Sequence, residues 1–286
     1  MKFGTHISAA GGVQNAPINA HKNNCECYQF FSRSPQGGKA PELTVEIIKK
    51  FKANNKKFGF KDFYIHAPYY INLASTKNTT YYGSISVLRE ELERGSLLGV
   101  KYLMTHLGSA KELGRREAVK KVVAGLEKIL TGYQGTTEFL IEISAGAGAI
   151  IGDTFEEIAT IIHNSKFIIQ KQIGVCFDTA HAFASGYDLR TLISVKKVLD
   201  NFDEIIGLKK LKLIHLNESM TEFGSHKDRH EHLGFGKIGL EGIEALIKDK
   251  RLKNINYILE TPTDVGTLED LKILKKMRAN LTKNKN

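Results

Sequence analysis

A regular alternation of short apolar runs with longer amphipathic segments limits the folds that this chain can adopt. The apolar runs are four to six residues long and rich in β-branched and aromatic side chains, which is typical of buried strands. Eight such runs predict strands at Lys2–His6, Glu26–Phe31, Phe63–His66, Tyr102–His106, Phe139–Glu142, Ile173–Asp178, Leu211–His215 and Tyr257–Glu260.

Between the predicted strands, apolar residues recur three and four positions apart, the spacing that places them on one face of a helix. These segments predict helices at Leu43–Phe51, Ser84–Leu98, Arg115–Leu130, Thr154–Ile162, Leu189–Leu199, Leu240–Ile247 and Leu268–Met277. A strand followed by a helix, repeated about eight times, predicts an α/β protein whose parallel sheet closes into a (β/α)8 TIM barrel. An open doubly wound sheet is the alternative, but no Gly-x-Gly-x-x-Gly motif follows the first strand to support it.

The alternation continues without a linker, which predicts a single domain. The glycine-rich segment Ala145–Gly152 lies where a loop after the fifth strand is expected. We therefore expect one barrel domain over residues 1–280, followed by a polar, basic tail at residues 281–286 that is frayed.

The composition excludes several classes of protein. Hydrophobic residues make up 42% of the 286 residues and charged residues 25%, which is ordinary for a globular chain and excludes general disorder. No uncharged apolar run reaches the ~18 residues that a membrane span needs, and the N-terminus lacks the apolar stretch of a secretory signal. The three cysteines, Cys25, Cys27 and Cys176, form no disulfide framework, so we expect a reducing, cytoplasmic location.

The charge balance is strongly basic. Lysine and arginine total 41 and aspartate and glutamate total 31, which leaves a net charge of +10. This excess favours a polyanionic partner such as nucleic acid. The alternative is that many of the lysines only solvate the outer faces of helices.

Most of the predicted strands end in a side chain that can bind a metal. These side chains are His66, His106, Glu142, Asp178, His215 and Glu260, and the first strand ends in His6. In a barrel, the C-terminal ends of all the strands open onto one face, where active sites are built. Because burying so many carboxylates and imidazoles is costly, we expect cations among them. Mixed histidine and carboxylate ligands without thiolates suit zinc, or manganese and iron.

Two local motifs add ligands. Asp178-Thr179-Ala180-His181 places His181 three residues beyond a strand-end aspartate, and Asp228-Arg229-His230 follows the seventh strand. The resulting set of five histidines and four carboxylates is too large for one ion and suits three. Clustered divalent ions are typical of phosphoryl-transfer hydrolysis, and the basic charge indicates a nucleic-acid phosphodiester.

Several segments together resemble the endonuclease IV family of apurinic/apyrimidinic (abasic-site) DNA repair endonucleases. The resemblance covers nearly the whole chain, and its motifs are specific only in combination. They are Gly4–Gly12, His66–Leu73, Gly174–His181, His215–Ser219 and Asp228–His230.

The resemblance implies three zinc ions, with manganese an alternative at individual sites. It assigns the first ion to His66, His106 and Glu142, the second to Glu142, Asp178, His215 and Glu260, and the third to His181, Asp228 and His230. Glu142 bridges two ions, and Glu260 positions the attacking water or accepts its proton, so both are the expected catalytic residues.

The implied reaction is hydrolysis of the phosphodiester 5′ to an abasic site in duplex DNA, which leaves a 3′-hydroxyl and a 5′-deoxyribose phosphate. Blocked 3′ ends are expected to be trimmed as well. The implied partner is therefore double-stranded DNA with abasic sites or blocked 3′ ends, bound by a monomer without a membrane.

The expected DNA contacts lie in loops. Tyr69 and Tyr70 match the region that wedges into the duplex, and Gln36 stands where the family has an arginine that enters the minor groove. Further candidate phosphate contacts are Arg33, Lys39, Lys227, Arg229 and Lys237. Departures at Gln36, Ile143, Ala147 and Met220 concern DNA affinity and substrate range, whereas the metal ligands are unaffected.

The sequence leaves two rival functions open. One is a metal-dependent sugar isomerase or epimerase, since such barrels also carry histidines and carboxylates at strand ends, around one or two ions. The His181, Asp228 and His230 group and the basic charge argue against it. The other is a non-catalytic DNA-binding relative, which the altered loops would suit.

Overall fold

Eight parallel strands close into a barrel in the computed structural model, which describes the backbone of residues 1–262 and 266–283 and the side chains of those residues up to 281. The barrel strands are β1 (Phe3–Ile7), β2 (Cys27–Phe30), β3 (Phe63–His66), β4 (Tyr102–Thr105), β5 (Glu138–Glu142), β6 (Ile173–Asp178), β7 (Leu211–His215) and β10 (Asn256–Leu259). A separate antiparallel pair is formed by β8 (Glu218–Ser219) and β9 (His230–Glu231). Each barrel strand pairs with the next along the chain, and β10 pairs with β7 and β1. The predicted TIM barrel is confirmed.

Helices surround the barrel. They are α1 (Ala16–Lys22), α2 (Val45–Phe58), α3 (Asn78–Leu98), α4 (Arg115–Leu130), α5 (Phe155–Asn164), α6 (Phe167–Gln170), α7 (Thr179–Ala184), α8 (Leu192–Ile205), α9 (Gly239–Lys248) and α10 (Gly266–Lys283). None of the helices within the described residues is long and apolar enough to cross a membrane.

The seven predicted helices correspond to α2–α5 and α8–α10, and the sequence pattern missed three short ones. The periodicity of α1 and α6 extends over too few residues to be recognised. All six residues of α7 are buried, so this helix has no polar face to produce an amphipathic pattern.

The predicted frayed tail, residues 281–286, overlaps the end of α10. Residues 281–283 continue this helix, and residues 284–286 lie outside the described residues. The single-domain boundary at residue 280 stays a prediction.

The strand alternation separates two layers of core. One cluster contains residues of seven barrel strands and fills the interior: Cys27, Tyr64, Tyr102, Met104, Leu140, Cys176, Leu213 and Ile258. Val175 and Phe177 belong to the larger cluster between barrel and helices. Asp178 has the same strand parity as Cys176, as the sequence alternation predicts, so its carboxylate emerges at the top of the interior.

Close strand packing explains one glycine of the barrel. A Cβ atom on Gly4 would lie 1.7 Å from the carbonyl oxygen of Cys27 in β2. Only glycine therefore permits the approach of β1 to β2 at this point. This pairing carries His6, the penultimate residue of β1, to the same end of the barrel as the predicted metal ligands.

Candidate metal centre

The predicted ligands of the metal site converge at the C-terminal end of the barrel. His66, Glu142, Asp178 and His215 end their strands, whereas His106 and Glu260 lie one residue beyond β4 and β10. His181 follows in α7, His230 begins β9, and Asp228 lies in the loop before it. Their ligand atoms form three adjoining groups.

The first group contains His66, His106 and Glu142. One carboxylate oxygen of Glu142, Oε2, lies 3.0 Å from His66 Nε2 and 3.8 Å from His106 Nε2. The Nδ1–H of His66 donates to the Ala67 carbonyl at 2.6 Å, so in the neutral ring the lone pair of Nε2 faces the carboxylate. A lone pair opposite a carboxylate is unfavourable unless a cation lies between them, which suits a metal ion here.

The second group surrounds His215. Its Nδ1 lies 3.0 Å from Glu142 Oε1, 3.1 Å from Glu260 Oε2 and 3.9 Å from Asp178 Oδ2. Burial tends to raise the pKa of Glu142, but neighbouring histidines outweigh it and hold that pKa well below its ordinary value. Three carboxylates around one buried imidazole require cationic compensation, and a divalent ion supplies it.

The third group brings together His181, Asp228 and His230. The two Nε2 atoms lie 3.3 Å apart, and each is within 3.3 Å of Asp228 Oδ1. Both Nδ1–H groups donate to backbone carbonyls, those of Ile143 at 3.0 Å and Glu260 at 3.1 Å. In neutral rings both Nε2 lone pairs therefore face the carboxylate, as they would around a metal ion.

Gln29 is a residue that sequence reasoning missed. It is fully buried in β2, and its Oε1 accepts from His215 Nε2–H at 2.8 Å. Its Nε2 donates to Glu260 Oε1 at 2.6 Å and lies 3.0 Å from His6 Nδ1. The only signal in the sequence was a glutamine inside an apolar strand, which does not reveal its partners.

Asn217 forms hydrogen bonds with two of the residues that supply predicted carboxylate ligands. Its Nδ2 donates to Asp178 Oδ2 at 2.6 Å, and its Oδ1 accepts from the backbone N–H of Glu260 at 2.7 Å. Such supporting contacts orient ligands and are often worth 10- to 100-fold in metal affinity or activity.

Two further carboxylates hold the segment that contains His230. Glu218 accepts from the backbone N–H groups of Ile238 at 3.0 Å and Gly239 at 2.8 Å. Asp270, in α10, accepts from His232 Nδ1–H at 2.7 Å and from the Leu233 N–H at 3.0 Å. Asp228 and His230 of the third group therefore belong to a well-bonded segment, although neither lies in a barrel strand.

A cavity of about 440 Å³ adjoins the ligands, with His66, His106, His181, His230 and Glu260 among its lining residues. Phe31 and Tyr69 also line it, and their rings contact edge to face with ring centroids 5.3 Å apart. Asp228 lies at this cavity with 47% of its side chain exposed. Each of the three groups of predicted ligands therefore has at least one member at this cavity.

Most of the predicted DNA contacts lie on the surface. Tyr69 and Tyr70 are 69% and 37% exposed, and Tyr69 lies beside His66 with ring centroids 5.9 Å apart. Exposed side chains are also found at Gln36, Lys39, Lys227, Arg229 and Lys237. Lys237 forms an ion pair with Glu222 at 2.9 Å.

Arg33 is placed differently from the prediction. Its side chain is only 4% exposed and pairs with Glu91 at 2.8 Å and with Glu90. The guanidinium is therefore committed to a buried ion network and does not offer a phosphate contact. The short sequence Ser32-Arg33-Ser34 did not reveal this, because its partners lie about 60 residues away in α3.

Comparisons with known proteins agree with the geometry. Residues 18–278 match a family model described as a xylose isomerase-like TIM barrel. A probable endonuclease 4 from Halothermothrix orenii is 37% identical over 97% of this chain and 99% of its own length. Another from Nitrosopumilus maritimus is 39% identical over 92% of this chain and 94% of its own length.

Solved structures give the same result. The crystal structure of endonuclease IV from Thermus thermophilus has a TM-score of 0.86 and 34% identity, covering 99% of this chain and 100% of that one. A D-tagatose 3-epimerase-like protein has a TM-score of 0.77 over the whole of both chains, but at 17% identity this likeness shows the fold alone. The resemblance drawn from the sequence motifs is confirmed.

Proposed function

The chain belongs to the endonuclease IV family, and we propose that it hydrolyses the phosphodiester 5′ to an abasic site in duplex DNA. The proposed products are a 3′-hydroxyl and a 5′-deoxyribose phosphate, and blocked 3′ ends are proposed as further substrates. The observation that carries this proposal is the three adjoining groups of imidazole and carboxylate ligands at one end of the barrel. Trimming a 3′ block and incising beside an abasic site are both phosphoester hydrolyses, so one site serves both.

Three zinc ions are the proposed cofactors, with manganese an alternative at individual sites. The donor sets support this, because imidazole and carboxylate ligands without thiolate suit these metals. The first ion is assigned to His66, His106 and Glu142, the second to Glu142, Asp178, His215 and Glu260, and the third to His181, Asp228 and His230. When bound, such ions lower the pKa of water and neutralise charge on the phosphate.

Glu260 and Glu142 are the proposed catalytic residues. Glu260 lies at the cavity with Oε1 held by Gln29 and Oε2 3.1 Å from His215, so its carboxylate is oriented before substrate arrives. We assign it the positioning of the attacking water and the acceptance of its proton. Glu142 joins the first and second groups through its two oxygens and sets their separation.

DNA is the proposed partner. The net charge of +10 and the exposed Lys39, Lys227 and Arg229 suit a phosphate backbone, and Gln36 lies in the same kind of exposed loop. Tyr69 and Tyr70 are proposed to wedge into the duplex when the abasic nucleotide leaves it. That extrusion costs least where no base remains to be unpaired. A monomeric state and a cytoplasmic location stay predictions.

The decisive experiment is an incision assay on a duplex with one abasic-site analogue, alongside elemental analysis of the same preparation. We expect a single cut 5′ to the lesion, no cut in the undamaged duplex, loss of cutting after chelation, and about three ions per chain. Binding without cutting would instead support a non-catalytic DNA-binding protein. One ion per chain and no cutting would support the sugar isomerase or epimerase alternative.

A further inference from the structure

Phe235 is exposed on the end of the barrel that carries the metal ligands. It is the middle residue of Gly234-Phe235-Gly236, which follows β9, and 81% of its surface is accessible to solvent. Burying a phenylalanine side chain is worth about 1.5–3 kcal/mol. A bulky ring left in water beside a functional site is therefore a candidate for contact with a partner.

The backbone around Phe235 is well fixed. Its N–H donates to the His232 carbonyl at 3.0 Å and closes a tight turn, in which Gly234 has a φ of 84°. A Cβ on Gly236 would lie 2.6 Å from both Glu218 Oε2 and the Ser219 carbonyl oxygen, so this backbone packs directly against β8. The ring thus stands on a bonded turn, and a partner would not have to order the loop first.

Exposed cations lie in the same segment of the chain as the turn. Lys227 and Arg229 are exposed in the loop that joins β8 to β9, and Lys237 is exposed two residues after Phe235. The Lys237 N–H donates to the Ser219 carbonyl at 2.8 Å, which ties its backbone to β8, and its ammonium forms an ion pair with Glu222 at 2.9 Å. An exposed aromatic ring among cations is the surface chemistry that binds nucleic acid.

We propose that Phe235 contacts DNA, with its ring packed against the deoxyribose and base edges of the duplex beside the abasic site. This rests on the proposed function, because the DNA must reach the same barrel end to be cut. Duplex DNA is favoured over a protein partner, because the ring lies on the barrel end where the proposed cut is made and the preceding loop carries the exposed Lys227 and Arg229.

The test compares Phe235→Ala, Phe235→Leu and a matched control, Phe167→Ala. Phe167 is 71% exposed but lies in α6, which precedes β6 and so belongs to the opposite end of the barrel. The readouts are kcat and KM for incision of the abasic duplex and the Kd of the same duplex, measured by fluorescence anisotropy.

We expect Phe235→Ala to raise KM and Kd about 5- to 150-fold, since an aromatic contact to a base is worth about 1–3 kcal/mol. The kcat is expected to change less than about twofold, and zinc content is expected to stay at the wild-type level, because the ring touches no proposed ligand. The KM and Kd of Phe235→Leu are expected to lie between those of wild type and Phe235→Ala. The KM and Kd of Phe167→Ala are expected to match those of wild type.

Three results would overturn the role of Phe235. They are an unchanged Kd in Phe235→Ala, a fall in kcat together with zinc content, and an effect confined to self-association in sedimentation. An equal rise in Kd for Phe167→Ala would also refute it. Failure of the wild-type protein to bind or cut abasic DNA would refute the proposed function itself, and this is distinct from a wild-type enzyme that cuts but does not need Phe235.

Discussion

At the residue scale, the proposed metal site is organised by hydrogen bonds that leave one nitrogen of four of its five imidazoles facing the carboxylates. The fifth, His106, has a buried Nδ1 without a hydrogen-bond partner among the described residues. The Nδ1–H groups of His66, His181 and His230 donate to carbonyls, and His215 donates through Nε2–H to Gln29. The carbonyl partners belong to residues one position beyond the ends of β3, β5 and β10. Residue types in the sequence therefore predicted the metal ligands, but not which nitrogen each imidazole would offer.

Glu260→Gln tests the proposed catalytic carboxylate. Glutamine keeps the shape but cannot accept a proton, and general-base assistance is typically worth about 100- to 10,000-fold in rate. We expect incision to fall by that factor, whereas the Kd for abasic DNA changes much less. Incision within a few-fold of wild type would remove Glu260 from the mechanism, and parallel loss of binding would make it a structural support.

Gln29→Leu tests the support behind two proposed ligands. Leucine has a similar volume but cannot accept from His215 or donate to Glu260, so both would be free to turn. We expect zinc affinity or incision to fall about 10- to 100-fold, measured by competition with a chelating dye and by the incision assay. The control is Gln134→Leu, an exposed position before β5, which is expected to leave both readouts unchanged.

At the element scale, a buried ion network joins α3 to the loop after β2. Glu91 is fully buried and accepts from Arg33 at 2.8 Å and from the Ser32 hydroxyl at 2.6 Å, with Arg94 Nε 3.4 Å away. Arg94 also donates to the Pro41 carbonyl at 2.7 Å. The network therefore ties both ends of the loop that contains Gln36 to one helix.

Glu91→Gln is expected to destabilise the fold by about 3–5 kcal/mol, because it leaves two largely buried guanidinium groups without their shared carboxylate. Urea denaturation followed by circular dichroism measures this. Glu93→Gln is the control on the same helix. Its side chain is 58% exposed and pairs with Arg89 four residues away, so we expect a change below about 1 kcal/mol. Equal effects of the two substitutions would contradict this account.

At the scale of the whole molecule, the two ends of the chain meet where the barrel closes. β10 pairs with β1, and Arg278 in α10 donates to both carboxylate oxygens of Glu26, which precedes β2, at 2.6 and 2.7 Å. Glu26 also accepts from the Phe3 N–H at 3.0 Å. Burial tends to raise the pKa of Glu26, but the bonds from Arg278 and Phe3 outweigh it and lower that pKa.

This lowered pKa predicts a pH-dependent contribution to stability. The contribution is present above the unfolded-state pKa of about 4.3 and is lost as the pH falls through the lower folded-state value. The stability difference between wild type and Glu26→Gln is therefore expected to be largest near pH 7 and to shrink below about pH 4. Urea titrations at several pH values measure it, and a difference that does not vary with pH would refute the assignment.

The sequence by itself determined the barrel, because each strand is a short local apolar run and each long helix has its own local hydrophobic period. It also determined most of the candidate site, because parallel strands that close into a barrel bring their C-terminal ends together wherever they occur in the chain. His66, Glu142 and Asp178 could therefore be grouped from their positions at strand ends, without knowledge of any contact between them.

Only the tertiary structure decided which further side chains support that site and which predicted residue does not belong to it. Gln29 forms a hydrogen bond with His215, which lies 186 positions later in the chain. Arg33 is buried in an ion pair with Glu91, 58 positions later, and is therefore not available at the rim. The short α7 and the exposed ring of Phe235 also became visible only in the fold. The physical reason is that a hydrogen bond or ion pair depends on the direction and burial of both partners. Local periodicity records which face a residue occupies, but not which distant residue it meets there.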